Sequence, residues 1–232
     1  MAGDVAVIVP AAGAGQRLGG RTRKPLVLLQ GVPLAIHALR VLQASPAVRW
    51  IVVVVRRGDV ATFRRLLQRY QITKARPPVV GGASRAVSVA RGVAALPVGA
   101  KWVAVHDAAR PCVSRALIER TVEAGKRFGA VASGLPSTLT VKVVGRSRRV
   151  RRTLNRSELW CVQTPQVFRR AWLARAVARA GHGLKRFPDD AAIVEAAGFP
   201  VRMVLGDPLN LKVTTRDDLL LARAILRAQP RP

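Results

Sequence analysis

The segment that begins at Pro10 combines small residues with a cation in the order PAAGAGQR. It follows the apolar run Val5–Val9, and its glycines and alanines allow backbone N–H groups to approach a bound phosphate closely. A Walker A loop would require Gly-Lys-Ser/Thr, which this segment lacks. A dinucleotide fingerprint would require glycine where Leu18 stands and an acidic residue where Arg56 and Arg57 follow the next strand. The segment is therefore either another kind of nucleotide-binding loop or a tight strand-to-helix turn.

A second segment, HDAARP, places an acid and a base directly after another apolar run. The carboxylate of Asp107 could hold a metal ion or hydroxyl groups, and Arg110 could grip a phosphate through two parallel hydrogen bonds. A local ion pair is the alternative for these two residues. His106 suits either chemistry or a packed, hydrogen-bonded position, whereas His37 and His182 have no partner pattern and are expected to be structural.

Charge is the most unusual bulk property of the chain. Forty Lys and Arg residues against 12 Asp and Glu residues give a formal charge of +28 at pH 7. Such a field attracts nucleotides, phosphorylated metabolites and, nonspecifically, nucleic acid. A background arginine content that serves solubility explains the charge equally well. The densest basic run is either a polyanion contact or a solvated turn, and it comprises Arg146, Arg148, Arg149, Arg151 and Arg152.

The cysteines and the hydropathy pattern indicate the cellular setting. Cys112 and Cys161 are too few for a disulfide framework and lack zinc-ligand spacing, which favours a reducing, cytoplasmic compartment. No apolar stretch reaches the ~20 residues that a membrane-spanning helix needs. The N-terminus has no basic segment before its apolar run, which Pro10 cuts short. We therefore expect a soluble chain with no membrane partner.

Strand and helix patterns alternate along most of the sequence. Half of the residues are hydrophobic, and the chain length suits one domain, residues 1–232, with its own core. The predicted strands are 5–9, 50–55, 78–81, 102–105 and 201–205. The predicted helices are 33–43, 60–70, one capped by Ser84, one capped by Ser114, and one that starts with a capping box of Thr215 and Asp218. The alternation predicts an α/β fold with a mainly parallel sheet flanked by helices.

Ligands of such sheets bind beyond the carboxyl ends of the strands. The segments 10–17, 81–85 and 107–111 all follow predicted strands, so they should meet at one rim. The stretch 130–144 breaks the alternation, because it is long and β-rich and leads into the basic run. We predict an extended β-hairpin arm at about 134–156, outside the alternating body.

Further motifs join these segments in a specific order. They are Lys24, Gly81-Gly82-x-x-Arg85-x-x-Ser88, Thr140-x-Lys142, Arg156, Leu159-Trp160, Gln163-Thr-Pro-Gln166, Asp189-Asp190-Ala191 and Leu211-Lys-Val-Thr214. In order and approximate spacing the set resembles the 2-C-methyl-D-erythritol 4-phosphate cytidylyltransferases of the non-mevalonate isoprenoid pathway. The resemblance runs from residue 5 to about 225. One such motif would be weak, but the ordered set is specific.

The resemblance implies a Rossmann-like nucleotidyltransferase fold with a protruding β-arm. It implies transfer of CMP from CTP to 2-C-methyl-D-erythritol 4-phosphate, which gives 4-diphosphocytidyl-2-C-methyl-D-erythritol and pyrophosphate. Mg²⁺ would be the cofactor, held mainly by the CTP phosphates, with Asp107 as a further candidate ligand. The active form would be a homodimer that exchanges its arms.

Site residues follow from matching each position to the family's motifs. Arg17 and Lys24 would stabilise the pentavalent transition state at the α-phosphate. Arg156 and Lys212 would position the substrate phosphate. The nucleotide site would comprise Pro10, Ala11, Ala12, Gly13, Gly15, Gly82, Arg85 and Ser88, and the polyol phosphate would contact Asp107, Ala108, Arg110, Thr140 and Thr164. Such a set suits nucleotidyl transfer, which depends on positioning and charge neutralisation more than on covalent catalysis.

Three positions depart from the family pattern. Pro25 stands where Gln is usual, and Val87 and Leu139 each stand where Asp is usual. These departures could shift the turn at Lys24 or change substrate choice. Two alternatives therefore stay open: a ribitol-5-phosphate cytidylyltransferase with the same nucleotide motifs, and a basic nucleic-acid-binding relative without catalysis. The aromatic content of 4% disfavours the second, because single-strand binders need stacking surfaces.

Overall fold

Strands and helices alternate along most of the chain in the computed structural model, which describes residues 4–13 and 23–228. The strands are β1 (Val5–Pro10), β2 (Leu28–Leu29), β3 (Val32–Pro33), β4 (Val48–Val55), β5 (Val79–Val80), β6 (Trp102–Val105), β7 (Ala130–Pro136), β8 (Lys142–Val144), β9 (Val150–Thr153), β10 (Trp160–Arg169) and β11 (Arg202–Leu205). The helices are α1 (Leu34–Ala44), α2 (Val60–Arg69), α3 (Arg85–Ala94), α4 (Arg115–Phe128), α5 (Arg170–Ala180), α6 (Asp190–Ala196) and α7 (Arg216–Ala228). In the described ranges, no helix has both the length and the apolar character that crossing a bilayer requires.

The large sheet of the described chain has the strand order β11-β7-β10-β6-β1-β4-β5. β1 pairs in parallel with β4 and β6, β4 pairs in parallel with β5, and β7 does so with β11. β10 runs antiparallel to both of its neighbours, β6 and β7. The α/β class and the mainly parallel sheet are therefore confirmed, and β10 makes the sheet mixed.

β1 illustrates why an unbroken apolar run becomes a central strand. Val5, Val7 and Val9 pack into one hydrophobic core, whereas Ala6 and Ile8 pack into another on the opposite face. Helices α1, α2 and α4 cover the first face, and α3, α5 and α6 cover the second. Successive side chains of a strand point to opposite faces, so a strand covered on both sides has to be apolar throughout.

The helices begin at the predicted capping residues. Ser84 Oγ accepts the backbone N–H of Val87 at 3.2 Å, and Ser114 caps α4 in the same way. At the start of α7 the Asp218 N–H donates to Thr215 Oγ1 at 3.2 Å, while Asp218 Oδ2 accepts the Thr215 N–H at 2.8 Å. This reciprocal pair is the predicted capping box, in which each side chain satisfies a backbone donor of the other residue.

The β-rich stretch 130–144 is divided between the sheet and the arm, which corrects the prediction that all of it lies outside the alternating body. β7 is an interior strand between β11 and β10, and residues 130–134 are buried. β8 and β9 form a separate two-stranded sheet at 142–153. The sequence conceals the role of β7 because its neighbour β10 contains the polar motif Gln163–Gln166, which interrupts the strand pattern.

Candidate active site

A cleft of about 700 Å³ opens at the carboxyl ends of four neighbouring strands. Its walls come from the residues after β1, β4, β5 and β6, with the turn at Lys24 and the loop at Lys212. The described lining comprises Pro10, Ala11, Ala12, Gly13, Lys24, Pro25, Arg56, Arg57, Val80, Gly81, Gly82, Ala83, Ser84, Arg85, Ser88, Arg91, Asp107, Ala108, Ala109, Lys212 and Thr214. Open α/β sheets bind ligands at this edge. The described parts of the three candidate segments thus meet at one rim, as predicted.

The floor of the cleft consists of small residues because the loops after β1 and β5 approach each other closely. A Cβ atom at Gly81 would lie 2.7 Å from the Cβ of Ala12 and 2.8 Å from the Oγ of Ser88, closer than side chains tolerate. Ser88 is buried, and its Oγ accepts the Gly82 N–H at 3.1 Å and donates to the Ser84 carbonyl at 2.9 Å. The Ser88 hydroxyl therefore fixes the backbone of the glycine loop.

Lys24 starts a short 3-10 helix, Lys24–Leu26, at the edge of the cleft. Pro25 fits this first turn, because the first N–H groups of a helix need no partner within it and the fixed φ of proline suits the turn. Arg23 forms an ion pair with the buried carboxylate of Asp59, which follows β4. The lysine turn is therefore ordered and tied to β4, despite the departure at Pro25.

Positive charge dominates the described walls of the cleft. Asp107 is the one carboxylate among the described lining residues. The cations there are Lys24, Arg56, Arg57, Arg85, Arg91 and Lys212. Sequence reasoning used Arg56 and Arg57 only to exclude a dinucleotide site, although their place directly after a buried strand is a usable signal. An excess of cations around a floor of backbone N–H groups suits a polyphosphate ligand.

Four charged side chains of alternating sign contact one another in a row, and three of them line the cleft. Arg85 Nε donates to Asp107 Oδ1 at 2.9 Å, and Arg85 Nη2 lies 2.8 Å from Asp190 Oδ2. Lys212 Nζ lies 2.7 Å from the other oxygen of Asp107. Burial by itself would raise the pKa of Asp107, but Arg85 and Lys212 together lower that pKa well below its usual range. Asp107 is therefore ionised at neutral pH, and both of its oxygens have cationic partners.

His106 is fully buried, and burial lowers its pKa to about 4. Its Nε2 lies 3.3 Å from the Arg110 carbonyl, which can only accept, so Nε2 carries the proton of the neutral ring. Nδ1 then accepts from the hydroxyl of Thr164 at 3.2 Å, and the oxygen of that hydroxyl accepts the Asp107 N–H at 3.1 Å. Of the two roles open to His106, the structure supports the packed one, which holds the backbone of Asp107 in place.

Arg110 lies behind the cleft wall and is absent from the described lining. Its Nη1 donates to the Asn210 carbonyl at 2.7 Å and its Nη2 to the Val162 carbonyl at 3.4 Å. Asn210 Nδ2 donates in turn to the Thr164 carbonyl at 2.8 Å. The guanidinium thus satisfies buried carbonyls and steadies the loop before Lys212. A phosphate grip by Arg110 stays a prediction.

The motif Gln163–Gln166 in β10 supports the cleft from two sides. The pairing of β10 with β7 is irregular between Val162 and Gln166, and it resumes at Gln166, which pairs with Ala132. Gln163 Nε2 donates to the Asp207 carbonyl at 2.9 Å, on the loop that leads to Lys212. Gln166 Nε2 donates to Asp189 Oδ2 at 2.9 Å, at the start of α6. The family resemblance identified this motif, and the structure shows that its two glutamines hold the loop before Lys212 and the start of α6.

The predicted site residues fall into three groups. Those that line the cleft are Pro10, Ala11, Ala12, Gly13, Lys24, Gly82, Arg85, Ser88, Asp107, Ala108 and Lys212. Thr164 lies beside Asp107 and Arg110 lies behind the cleft wall, whereas Thr140 and Arg156 belong to the segment around the hairpin arm; none of these four is in the described lining. Gly15 and Arg17 lie outside the described residues. Asp190 was quoted only as part of a motif, because nothing in a sequence tells which cation a buried acid will meet.

The model of the 2-C-methyl-D-erythritol 4-phosphate cytidylyltransferase family matches residues 5–228. The chain belongs to this family. A relative from Pelotomaculum thermopropionicum that bears the family's name is 42% identical over 226 residues, which cover 97% of this chain and 95% of the relative. A relative of the same name from Gloeobacter violaceus is 40% identical over 226 residues and 97% of each chain.

Solved structures of cytidylyltransferases agree with the sheet and helices described above. The crystal structure of 4-diphosphocytidyl-2C-methyl-D-erythritol synthase from Anaerococcus prevotii has a TM-score of 0.83 at 27% identity and covers 96% of both chains. The 2-C-methyl-D-erythritol 4-phosphate cytidylyltransferase from Thermus thermophilus has a TM-score of 0.77 at 32% identity, over 96% of this chain and 98% of that one.

Of the three departures from the cytidylyltransferase pattern, Pro25 is the one that belongs to the described cleft lining. Val87 packs against the glycine loop, since a Cβ at Gly82 would lie 2.9 Å from the Val87 Cβ, and Val87 is absent from the described lining. Leu139 lies before the hairpin and is 72% exposed. Pro25 occupies an ordered turn.

Proposed function

We propose that this chain transfers CMP from CTP to 2-C-methyl-D-erythritol 4-phosphate and releases pyrophosphate. One observation carries the proposal: the family's small-residue loop, lysine turn and Asp107 segment line one cleft whose described walls carry six cations and one carboxylate. Two anionic reactants have to be brought together in this reaction, and a cationic, concave site reduces their repulsion. The family name supports the choice of substrates.

The reaction needs no covalent intermediate on the protein. An oxygen of the polyol phosphate attacks the α-phosphorus of CTP, the bond between that phosphorus and the oxygen bridging to the β-phosphorus breaks, and pyrophosphate leaves with the bonding electrons. The attacking phosphate is already an anionic nucleophile, so no general base is required. Lys24 stabilises the charge that develops at the α-phosphate, and Lys212 orients the attacking phosphate.

Mg²⁺ fits this cleft as an ion held chiefly by the triphosphate. No group of three or more potential metal-binding residues occurs in the described chain. Asp107 supplies the one carboxylate of the described lining, and Arg85 and Lys212 already contact its oxygens. Magnesium is commonly bound through one or two carboxylates plus substrate phosphates. The ion would neutralise phosphate charge, and Asp107 is its candidate protein ligand, whose oxygens it would share with Arg85 and Lys212.

The proposed active form is a homodimer in which Arg156 and Thr140 enter the cleft of the partner subunit. Neither residue lines the described cleft of its own chain. Apolar side chains around the arm are exposed, including Leu139 at 72%, Val144 at 50% and Val150 at 49%. A lone hairpin gains little stability in water, whereas a two-fold interface would cover the same face on both subunits.

Subunit mixing tests this arrangement. Inactive Lys24→Ala and Arg156→Ala chains are allowed to exchange, so that about half of the dimers become hybrids by random assortment. Each hybrid then holds one complete site, and activity returns to about a quarter of the wild-type value. A mixture that stays inactive after verified exchange would place Arg156 in its own subunit's site.

A pyrophosphate-release assay tests the reaction itself. The four nucleoside triphosphates are each combined with 2-C-methyl-D-erythritol 4-phosphate or with ribitol 5-phosphate. We expect turnover with CTP and the methylerythritol substrate, because the narrow small-residue floor around Gly81 and Ser88 suits a pyrimidine read by backbone groups. Equal turnover with UTP, or faster turnover with ribitol 5-phosphate, would contradict the proposal.

A DNA-binding measurement tests the alternative of a nucleic-acid-binding protein. If DNA binding is lost when salt is added while the enzyme turns over fully at the same salt concentration, nucleic-acid binding is excluded as the main role.

A cytoplasmic setting is part of the proposal. Cys112 and Cys161 are both free thiols in the structure, which accords with a reducing compartment.

A further inference from the structure

Asp190 is a charged residue next to the cleft for which the proposed reaction has so far given no role. It is the first residue of α6, its side chain is fully buried, and it is absent from the described lining. Its Oδ2 lies 2.8 Å from Arg85 Nη2. The carboxylate therefore contacts a cleft residue from behind.

The position of Asp190 is rigid because three hydrogen bonds hold the start of α6. Asp189 Oδ1 accepts the Ala192 N–H at 2.9 Å, which caps the helix. Gln166 donates from Nε2 to Asp189 Oδ2 at 2.9 Å and accepts the Ala191 N–H on Oε1 at 3.0 Å. The start of α6 is thus anchored to β10, the strand that also steadies the loop carrying Lys212.

The buried ion pair of Asp190 with Arg85 is weak evidence of a stabilising role. Burial raises the pKa of Asp190, with Arg85 opposing the shift, so the charged form is costly at this position. Oδ1 has no hydrogen-bond partner in the described chain, so the contact of Oδ2 with Arg85 is the interaction that offsets this cost. A buried ion pair of this kind is often no more stabilising than an apolar pair of similar volume. We therefore look for the role of Asp190 in how it orients the side chain of Arg85.

A series of ion pairs connects Asp190 with Lys212 through Arg85 and Asp107. The guanidinium of Arg85 is planar, so a carboxylate at Nη2 and another at Nε fix its orientation. Asp107 accepts a hydrogen bond from Arg85 Nε on Oδ1, and its Oδ2 forms an ion pair with Lys212 Nζ. Lys212 has a side chain that is 42% exposed, and this contact holds it against the cleft floor.

We propose that Asp190 is a positioning residue: by holding one edge of Arg85 it fixes the carboxylate that orients Lys212. The inference rests on the proposed function, because it assigns Lys212 to the attacking polyol phosphate. Asp190 touches neither reactant. Because Arg85 directs Nε to Asp107 and Nη2 to Asp190, the effect falls on the binding of the polyol phosphate more than on that of CTP.

Asp190→Asn tests the proposal with almost no change in shape. Groups that orient metal-ligating side chains alter metal affinity or activity about 10- to 100-fold when changed; by analogy we expect about a tenfold loss of kcat/KM for the polyol phosphate. KM for CTP should change by less than about threefold, since Arg85 is one of several predicted nucleotide-site residues and the floor around Gly81 and Ser88 does not depend on Asp190. Asp4→Asn is the matched control, because Asp4 pairs with Lys126 at 2.8 Å before β1, at the sheet edge opposite the cleft. It should leave both constants unchanged.

A second comparison separates positioning from general loosening of the fold. In a Lys212→Ala background, Asp190→Asn should cost less than about twofold, because the side chain on which it acts is gone. An undiminished tenfold loss in that background, or equal losses toward both substrates, would overturn the proposal.

Crystals of the Asp190→Asn protein supply a readout that does not depend on turnover. We expect Arg85 to leave its place between the two acids and the 2.7 Å contact between Asp107 and Lys212 to open. An unchanged arrangement would overturn the inference. Wild-type protein that does not transfer CMP would instead contradict the proposed function, and the crystal comparison would still decide the role of Asp190.

Discussion

Gly81→Ala tests whether close approach of two loops forms the cleft floor. The added methyl group would lie 2.7 Å from the Cβ of Ala12, 2.8 Å from the Oγ of Ser88 and 3.2 Å from a methyl group of Val54. Ala12 cannot rotate out of the way, and Ser88 is held by two hydrogen bonds. Forcing one extra methyl group into a packed site costs about 1–3 kcal/mol, because the backbone has to shift.

Gly183→Ala is the matched control for this substitution. No atom lies within 4 Å of a Cβ built at Gly183 in the described structure. The control should change the free energy of unfolding by less than about 0.5 kcal/mol, or raise it slightly by restricting the unfolded chain.

Urea unfolding and CTP titration measure the two effects. We expect Gly81→Ala to lower the unfolding midpoint without changing the slope and to weaken CTP binding, since both displaced neighbours, Ala12 and Ser88, line the cleft. If Gly81→Ala were as stable as Gly183→Ala and bound CTP normally, the close-approach reasoning would be refuted.

Three further expectations follow from single residues. Lys24→Ala should lower kcat and kcat/KM together by about 10²–10³-fold in steady-state assays, and a change confined to KM for CTP would indicate ordinary ground-state binding instead. Hydrogen bonds from Thr214 and its neighbour outweigh the opposing effect of burial and lower the pKa of Asp218 to about 2. The stabilisation by this cap should therefore be present above about pH 4 and be lost as pH falls toward 2. Asp218→Ala should cost about 1 kcal/mol at pH 7 in urea unfolding, and an unchanged midpoint would contradict the capping role. Burial, with Asp207 adding to it, raises the pKa of Cys112 to about 12, so a thiol reagent should modify the exposed Cys161 first and leave Cys112 intact until unfolding, whereas equal labelling rates would contradict this order.

The elements that sequence predicts best are those whose pattern has one physical meaning. The run Val5–Val9 is apolar throughout and has to be covered on both faces, which fixes a central strand. Ser84 and Ser114 stand where a helix needs an acceptor for its first N–H groups. The rule that ligands bind beyond the carboxyl ends of parallel strands then places the cleft.

The sequence cannot reveal contacts that depend on tertiary partners. The segment of β7 was predicted outside the body because residues 130–144 are β-rich without an intervening helix. Its true partner, β10, contains the polar motif Gln163–Gln166, whose amides bind loops far away along the chain. Arg110 is of a residue type that commonly binds phosphate, but in the fold its guanidinium donates hydrogen bonds to two backbone carbonyl groups. Asp190 becomes meaningful only when α6 is placed beside Arg85.

Isotope labelling of the substrate phosphate tests the central claim most directly. 2-C-methyl-D-erythritol 4-phosphate labelled with ¹⁸O at the three non-ester oxygens of its phosphate is incubated with this protein, CTP and Mg²⁺, and the products are weighed by mass spectrometry. If an oxygen of the substrate phosphate attacks the α-phosphorus, the diphosphocytidyl product keeps all three labels and the pyrophosphate carries none. Label in the pyrophosphate, or release of free CMP without a labelled diphosphate product, would contradict the account.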